Sequence, residues 1–164
     1  MDALGIVQQV AEAVIGLTSI LANSLVLATL FRIRSTRTPT DCLIASLSSA
    51  DLLVGALGIP CVIAGNLGLP HNFRACLVTT CAIIVMTQIS IFSLLLVALE
   101  RFAAVVVPLF HWRHSSGKTV MIGVVMAWTS AILLGCIPVL GWHPPGPKDD
   151  QEFICAFVDV IDMR

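Results

Sequence analysis

The sequence predicts an all-α membrane protein, a bundle of four antiparallel transmembrane helices with the N-terminus extracellular. Of its 164 residues, 57% are hydrophobic and 12% are charged, whereas soluble domains carry about 25% charged residues. Four apolar segments each exceed the roughly 20 residues with which a helix crosses a bilayer. A soluble core could not hide this much apolar surface, so lipid must be the solvent for part of it.

The first two predicted helices span about residues 6–31 and 40–65. Between them lies the basic turn RIRSTRTPT, in which Pro39 suits the first helical position because the N–H that it lacks would be unpaired there anyway. Glu12 lies near the outer end of the first helix, and Asp51 lies in the middle of the second.

The third predicted helix, about residues 75–106, organises the chain because twenty-three uncharged residues separate Cys76 from Glu100. We expect it to be the central and most tilted member of the bundle. The fourth, about residues 119–140, ends at GWHPPGP, where the prolines prevent a helix from continuing. Residues 141–164 then form an extracellular loop, polar and acidic except for FICAFVDVI.

The basic residues predict the orientation, because cytoplasmic loops carry an excess of lysine and arginine. Six of the nine lysines and arginines lie in or beside the loops that follow the first and third predicted helices: Arg32, Arg34, Arg37, Arg101, Arg113 and Lys118. Those connections are therefore expected in the cytoplasm, with both ends of the chain outside. A net charge of −1 offers no basic surface to nucleic acid, so the expected macromolecular environment is the lipid bilayer and not DNA or RNA.

Three polar side chains are predicted at similar depth within the membrane. Counted from the cytoplasmic ends of their helices at 1.5 Å per residue, Asp51, Ser90 and Asn23 lie about 18, 16 and 13 Å deep. An acid at mid-helix costs roughly 2.5–3.5 kcal/mol to insert, which a binding site for a cation or ordered water would explain. Hydrogen bonds that only join helices are the alternative, and depth alone does not decide between them.

Charged residues near the helix ends also have two interpretations each. Glu12 is either an acid that snorkels to the outer interface or a functional group. Glu100 and Arg101, at the inner end of the third helix, are either ordinary charges flanking a span or a lock that opens when the helix shifts.

The cysteines predict one disulfide. Cys76 lies 25 residues before Arg101, about 37 Å along a helix, so these two residues lie on opposite sides of the membrane. Cys76 and Cys155 then share the oxidising extracellular compartment and can pair. The other four, Cys42, Cys61, Cys81 and Cys136, are interpreted as buried thiols.

Consecutive predicted helices carry, in order, a set of residues that includes several of those above: Asn23, LSSAD with Asp51, Cys76, Glu100-Arg101-Phe102, Trp128 and Pro138. The ordered set resembles the signature of rhodopsin-like (class A) G-protein-coupled receptors, in which Asn23, Trp128 and Pro138 would be structural. The stretches DLLVGALGIP, TQISIFSLLLVALERF, PVLGW and CAFVDVIDM, together with Glu12, resemble adenosine receptors. The resemblance covers about residues 10–164.

The resemblance implies a role for individual residues. Thr87 and Gln88 would line the nucleoside pocket, with Thr87 near the ribose end, and Glu12 would also belong to the ligand-binding set. Ile83 and Ile84 would form the apolar wall, and Phe157 would stack on adenine. Asp51 and Ser90 would hold an allosteric sodium ion, with no other cofactor expected. Arg101, beside Glu100, would be the switch residue, and Leu109 would lie in the loop that meets the G protein.

The sequence also departs from the family pattern. Glu100 and Phe102 replace an aspartate and a tyrosine, of which the first change keeps the charge. Val158 replaces a glutamate that bonds adenine, and a partner left unpaired there could cost about 1–3 kcal/mol. The fifth to seventh spans of the family lie outside this sequence, so residues 1–164 are expected to be part of a seven-transmembrane receptor domain.

The expected function is a plasma-membrane receptor for adenosine or a related purine nucleoside, signalling through heterotrimeric G proteins, with receptor dimerisation left open. The alternative is a truncated, non-signalling four-helix protein that associates with full-length receptors. A weaker alternative is an unrelated transporter or channel subunit. The sequence contains no nucleophile–base pair, metal cluster or phosphate loop, so an enzyme is not expected.

Overall fold

The computed structural model describes residues 3–32, 38–108, 116–140 and 155. Within these residues the chain is all-helical, and four helical stretches are long and apolar enough to cross a membrane. We call them the first to fourth spans: Ala3–Arg32, Pro39–Asn66, Phe73–Val106 and Gly117–Gly135. The predicted membrane fold of four helices is therefore confirmed. Of the predicted extracellular loop 141–164, the described residues include Cys155 alone.

Polar side chains begin three of these spans. Helix α1 (Ala3–Arg32) is the first span, and α2 (Pro39–Leu53) opens the second behind the N-cap Thr38. The Thr38 hydroxyl accepts a hydrogen bond from the Asp41 N–H, and the Asp41 carboxylate accepts one from the Thr38 N–H. This reciprocal pair satisfies two donors of the first turn, and Pro39 takes an early helical position as predicted.

The second span is not one uniform helix. Helix α2 passes into a π-helical segment, Val54–Gly58, and continues as α3 (Ile59–Asn66). The Ile59 N–H bonds to the Val54 carbonyl, five residues back. Pro60 follows directly, and its ring would clash with the carbonyl four residues before it in a regular α-helix. The wider π turn gives that carbonyl room. The sequence analysis predicted one uniform helix over residues 40–65 and missed this segment.

The third and fourth spans are the helices α4 (Phe73–Val106) and α5 (Gly117–Gly135). Asn72 caps α4 by accepting from the Arg74 N–H, and Ser116 caps α5 by accepting from the Thr119 N–H. Helix α5 ends five residues before the predicted position 140. Pro138 explains the early end, because it lacks the N–H that would continue the hydrogen bonding of the helix. Residues 136–140 form turns.

The spans pack in a chain of neighbours. The second span contacts the first, third and fourth, whereas the third packs mainly on the second and fourth. Among the described residues the second span is therefore as central as the third, which was expected to be the centre. A core cluster of Ala50, Ile89 and Ala131 joins the second, third and fourth spans at mid-depth.

Glycines allow a close approach of helices at two places. A Cβ at Gly55 would lie 3.0 Å from the Gly16 carbonyl oxygen, and one at Gly135 would lie 3.0 Å from the backbone nitrogen and Cα of Val85. Small residues let helix backbones approach closely within a membrane. Large apolar side chains point outward on all four spans, as expected of surfaces that face lipid.

Candidate functional site

The disulfide closes the extracellular end of the third span. Cys76 and Cys155 are bonded, and both are buried with Leu77 and Cys81 in one apolar cluster. The Cys155 N–H also donates to the carbonyl of Gly68 at 3.4 Å. Gly68 has a φ of 78°, a left-handed conformation that glycine adopts readily. The predicted pairing is confirmed: the disulfide ties position 155 to the first turn of α4, and the backbone hydrogen bond ties it to the turn between the second and third spans.

The predicted ligand-binding residues of α4 share one face of that helix. Thr87 lies four residues after Ile83, and Gln88 four after Ile84, which places each pair one turn apart. Thr87 is exposed and its hydroxyl donates to the Ile83 carbonyl at 2.8 Å, whereas Ile83, Ile84 and Gln88 are half-buried. This face therefore offers a hydroxyl and an amide beside apolar walls.

Glu12 is held at the outer end of the first span by two amides. Asn66, at the end of α3, donates to both carboxylate oxygens at 3.1 and 3.4 Å, and Gln8 donates at 3.0 Å. Glu12 therefore joins the first span to the second. Sequence reasoning identified Glu12 and missed Asn66, whose position just before a turn gave no signal of this contact.

Asn23 and Asp51 are connected through a serine that the sequence analysis did not single out. The Ser19 hydroxyl donates to the Asp51 carbonyl at 3.0 Å, and the Asn23 amide donates to the Ser19 carbonyl at 2.9 Å and hydroxyl at 3.3 Å. Asn23 thus supports the backbone next to Asp51. Its amide is one turn from Ser19, a spacing that could have indicated the contact.

Ser90, the other predicted ligand of a sodium ion, has a buried hydroxyl oxygen with no hydrogen-bond partner among the described residues. A buried hydroxyl without a partner is destabilising, so the group calls for an explanation. We call Asp51 and Ser90 the open pair. Asp51 is half-buried on the neighbouring span, and carboxylate and hydroxyl oxygens are the ligands that hard cations prefer.

Trp128 takes part in a polar cluster that joins three spans. Its indole N–H donates to the Ser46 hydroxyl at 3.0 Å, and the Ser46 and Ser93 hydroxyls lie 3.2 Å apart. Both serines are buried. We call Ser46, Ser93 and Trp128 the closed triad. Sequence reasoning identified only Trp128, although a polar residue inside an apolar span is itself a signal of an interhelical bond.

Glu100 joins the inner ends of the second and third spans. The Thr40 hydroxyl donates to the Glu100 carboxylate at 2.9 Å, and the Arg101 guanidinium lies 3.6 Å from its other oxygen. The Glu100 side chain is 10% exposed, whereas that of Arg101 is 63% exposed. The acid is therefore fixed inside the bundle while the arginine reaches the cytoplasmic surface. Thr40 was not identified from the sequence.

Only some of the remaining predicted residues lie within the described part of the chain. Pro138 is buried in the turn after α5. Phe157 and Leu109, expected to contact adenine and the G protein, lie outside the described residues, as does Val158.

Comparisons with known proteins agree with this arrangement. The family model described as "7 transmembrane receptor (rhodopsin family)" matches residues 22–162. The chain is 38% identical to the human adenosine receptor A2b over 145 residues, which are 88% of this chain and 43% of that receptor. Mouse adenosine receptor A2b is 37% identical over 145 residues, 88% of this chain and 43% of the receptor. Horse adenosine receptor A2a is 32% identical over 163 residues, 93% and 40% of the two chains. The chain thus spans less than half the length of the curated relatives that it matches.

Proposed function

The chain belongs to the rhodopsin family of seven-transmembrane receptors, multi-pass proteins of the plasma membrane, and we propose that it is part of a receptor for adenosine or a related purine nucleoside. The identity to adenosine receptors over most of the chain carries this proposal. We propose heterotrimeric G proteins as the partner of the whole receptor, which would then have no enzymatic reaction of its own. No observation favours the alternative of a truncated protein that only associates with receptors.

The chemistry of the third span supports a small ligand with both polar and apolar groups. Thr87 and Gln88 offer hydrogen-bond donors and acceptors on the same face as Ile83 and Ile84. A pocket of apolar walls with a few placed polar groups is typical of small-molecule sites. Glu12, held by Asn66, would add an acceptor from the first span.

Substitution of Thr87 tests the ligand site. The full open reading frame would be expressed in cells, and binding of a radiolabelled adenosine agonist to their membranes would be measured. Thr87→Ala should weaken binding about ten-fold, the usual effect of one lost hydrogen bond to a ligand. Thr129→Ala is the matched control, since Thr129 is also exposed and bonds its own helix backbone four residues back. Equal effects of the two substitutions would contradict the assignment.

Sodium binding is the second part of the proposal. Asp51 and Ser90 would hold the ion. The Ser90 hydroxyl, which has no hydrogen-bond partner among the described residues, fits the role of an oxygen ligand for a cation. Sodium chloride should lower agonist affinity relative to choline chloride at equal ionic strength. Asp51→Asn should remove that difference while agonist still binds. A sodium effect that survives in Asp51→Asn would rule out the open pair as the site.

A further inference from the structure

Two free cysteines come together near the outer ends of the third and fourth spans. Cys81 lies on α4 and is 4% exposed, whereas Cys136 caps the end of α5 and is half-buried. The Cys81 side chain interacts electrostatically with the Cys136 thiol and with the backbone N–H of Val139, in the turn that follows α5. Neither thiol belongs to the ligand face of α4 or to the open pair, so the contact is a separate feature of the fold.

The packing of the two helices brings these thiols to one level. Gly135 faces the backbone of Val85 where α4 and α5 cross, and an added Cβ there would lie 3.0 Å from the Val85 nitrogen and Cα. Cys81 is four residues before Val85, one turn toward the extracellular side on the same face of α4. Cys136 directly follows Gly135, also toward the extracellular side, because the fourth span runs outward. One close helix contact therefore supports both thiols.

The structural disulfide lies in the same region. Cys81 shares an apolar cluster with Cys76 and Cys155, near the extracellular side, where thiols are readily oxidised. Within α4, Cys81 cannot pair with Cys76, because five residues separate them by about 7.5 Å along the helix axis. A disulfide spans only about 4.4–6.8 Å between Cα atoms. Cys155 is already bonded to Cys76, so Cys136 is the free thiol that can serve as the partner of Cys81.

Two thiols suit a disulfide better than a metal ion. Among the described residues, no group of three or more His, Cys, Asp or Glu side chains could hold a metal, whereas zinc sites in proteins take three or four such ligands. A disulfide needs only two sulfurs and an oxidant. We propose that Cys81 and Cys136 are an oxidant-sensitive pair, which closes to a second disulfide between α4 and the end of α5 when a small organic disulfide oxidises it.

The two thiols take different parts in this reaction. Cys136, the more exposed, loses its proton, and its thiolate attacks one sulfur of the organic disulfide. A mixed disulfide forms, and the first organic thiol leaves with a proton. The buried Cys81 then loses its proton and attacks the Cys136 sulfur, which releases the second organic thiol. The cysteine pair is thereby oxidised by two electrons while one organic disulfide is reduced to two thiols.

The new bond would have a structural consequence. Cys81 lies two residues before Ile83, the first residue of the predicted ligand face on α4. A disulfide there would fix α4 against the end of α5 beside that face. The proposal itself does not depend on the identity of the receptor's ligand.

Peptide mapping without reduction tests the proposal. The full open reading frame would be expressed in cells, and their membranes would be treated with 4,4′-dithiodipyridine, a small apolar disulfide. Remaining thiols would be capped with N-ethylmaleimide before digestion. Trypsin separates peptide 75–101, with Cys76 and Cys81, from peptide 119–148, with Cys136. The reagent should raise the amount of these two peptides joined to each other about ten-fold, because exchange proceeds to the protein disulfide.

Single substitutions assign the two roles. Cys81→Ser should leave Cys136 carrying a thiopyridine group, because the thiol that would displace that group is gone. Cys136→Ser should leave Cys81 unmodified, since Cys81 is buried. Cys61→Ser removes a half-buried thiol of the second span and is the matched control, in which the new link should form as before. The Cys76–Cys155 link should persist in all three variants, which verifies that each one folds.

Three results would overturn the proposal. The first is that peptides 75–101 and 119–148 are never joined, whether or not the reagent modifies Cys136. The second is a link between them that persists in Cys81→Ser, which would mean that the reagent had opened the structural disulfide. The third is equal linking of peptide 119–148 to peptide 38–74, which carries Cys42 and Cys61 and would reveal unselective oxidation.

Discussion

The closed triad and the open pair are two polar groups in the same membrane-spanning bundle, yet they are built differently. In the closed triad, the indole of Trp128 and the hydroxyls of Ser46 and Ser93 bond to one another across three spans. In the open pair, the Ser90 hydroxyl is buried without a partner among the described residues. Ser90 and Ser93 lie less than one turn apart on α4, so the contrast is not one of depth.

The two clusters suit different roles: the closed triad joins helices, whereas the open pair can bind an ion. A polar cluster whose donors and acceptors are all used inside the protein has no capacity left for a ligand, and its role is to hold helices together. A buried oxygen that stays unpaired has that capacity, and the energy lost by its desolvation is recovered when a partner arrives. Substitutions in the two clusters should therefore differ in their effects on stability.

The largest effect is expected at the centre of the closed triad. Ser46→Val removes the acceptor of Trp128 and the partner of Ser93, which leaves two groups unpaired, and should lower stability by about 2 kcal/mol. Thermal unfolding of the detergent-solubilised protein would measure it. Ser49→Ala is the matched control on the same helix, because the one bond of the Ser49 hydroxyl to a described residue is with the Ala45 carbonyl, within its own helix. A loss for Ser49→Ala as large as that for Ser46→Val would refute the interhelical role.

A smaller effect is expected from the tryptophan. Trp128→Phe keeps an aromatic ring against Ile89 and Ala131 but removes the indole N–H. The expected loss is about 1 kcal/mol, the value of one interhelical hydrogen bond. Combined with Ser46→Val, the two losses should be clearly less than additive, because both variants break the same bond. Full additivity would mean that the bond contributes nothing to folding.

The smallest effect sharpens the comparison within α4. Ser93→Ala should lower stability by roughly 0.6 kcal/mol, since it removes the partner of Ser46. Ser90→Ala should change stability by less, or raise it, because it deletes a hydroxyl that bonds none of the residues that the structure describes. Both would be measured without sodium, so that an ion cannot supply the missing contact. A larger loss for Ser90→Ala than for Ser93→Ala would contradict the distinction drawn here.

Much of the fold could be predicted because its causes are local. Long apolar runs, the proline at the start of α2 and the cluster of basic residues are all properties of single segments. The cysteine pairing followed from the compartment that Cys76 and Cys155 share. The π-helical segment and the early end of α5 were missed, since both depend on how a proline is accommodated by the turn around it.

The site was predicted only in part, for a different reason. Asp51, Ser90 and Glu12 were singled out because a charged or polar residue inside an apolar span is visible in the sequence, and Trp128 was singled out because it belongs to the ordered set that resembles the receptor family. Their partners Ser19, Ser46, Asn66 and Thr40 were not identified, because small polar residues are common in helices and nothing local says which of them faces a neighbour. Counting residues along each helix placed Asp51, Ser90 and Asn23 at similar depth but did not predict which groups they contact.

The amino-acid sequence by itself determined that this protein lies in a membrane and how many described helices are long and apolar enough to cross it. Those properties depend on the transfer of side chains between water and lipid, which each segment carries alone. The tertiary structure alone decided which polar groups are satisfied. Ser93 bonds Ser46 and Ser90 bonds no described residue, although both are serines on one helix. A hydrogen bond needs two groups within about 3 Å, and only the packing of the helices brings the second group to that distance.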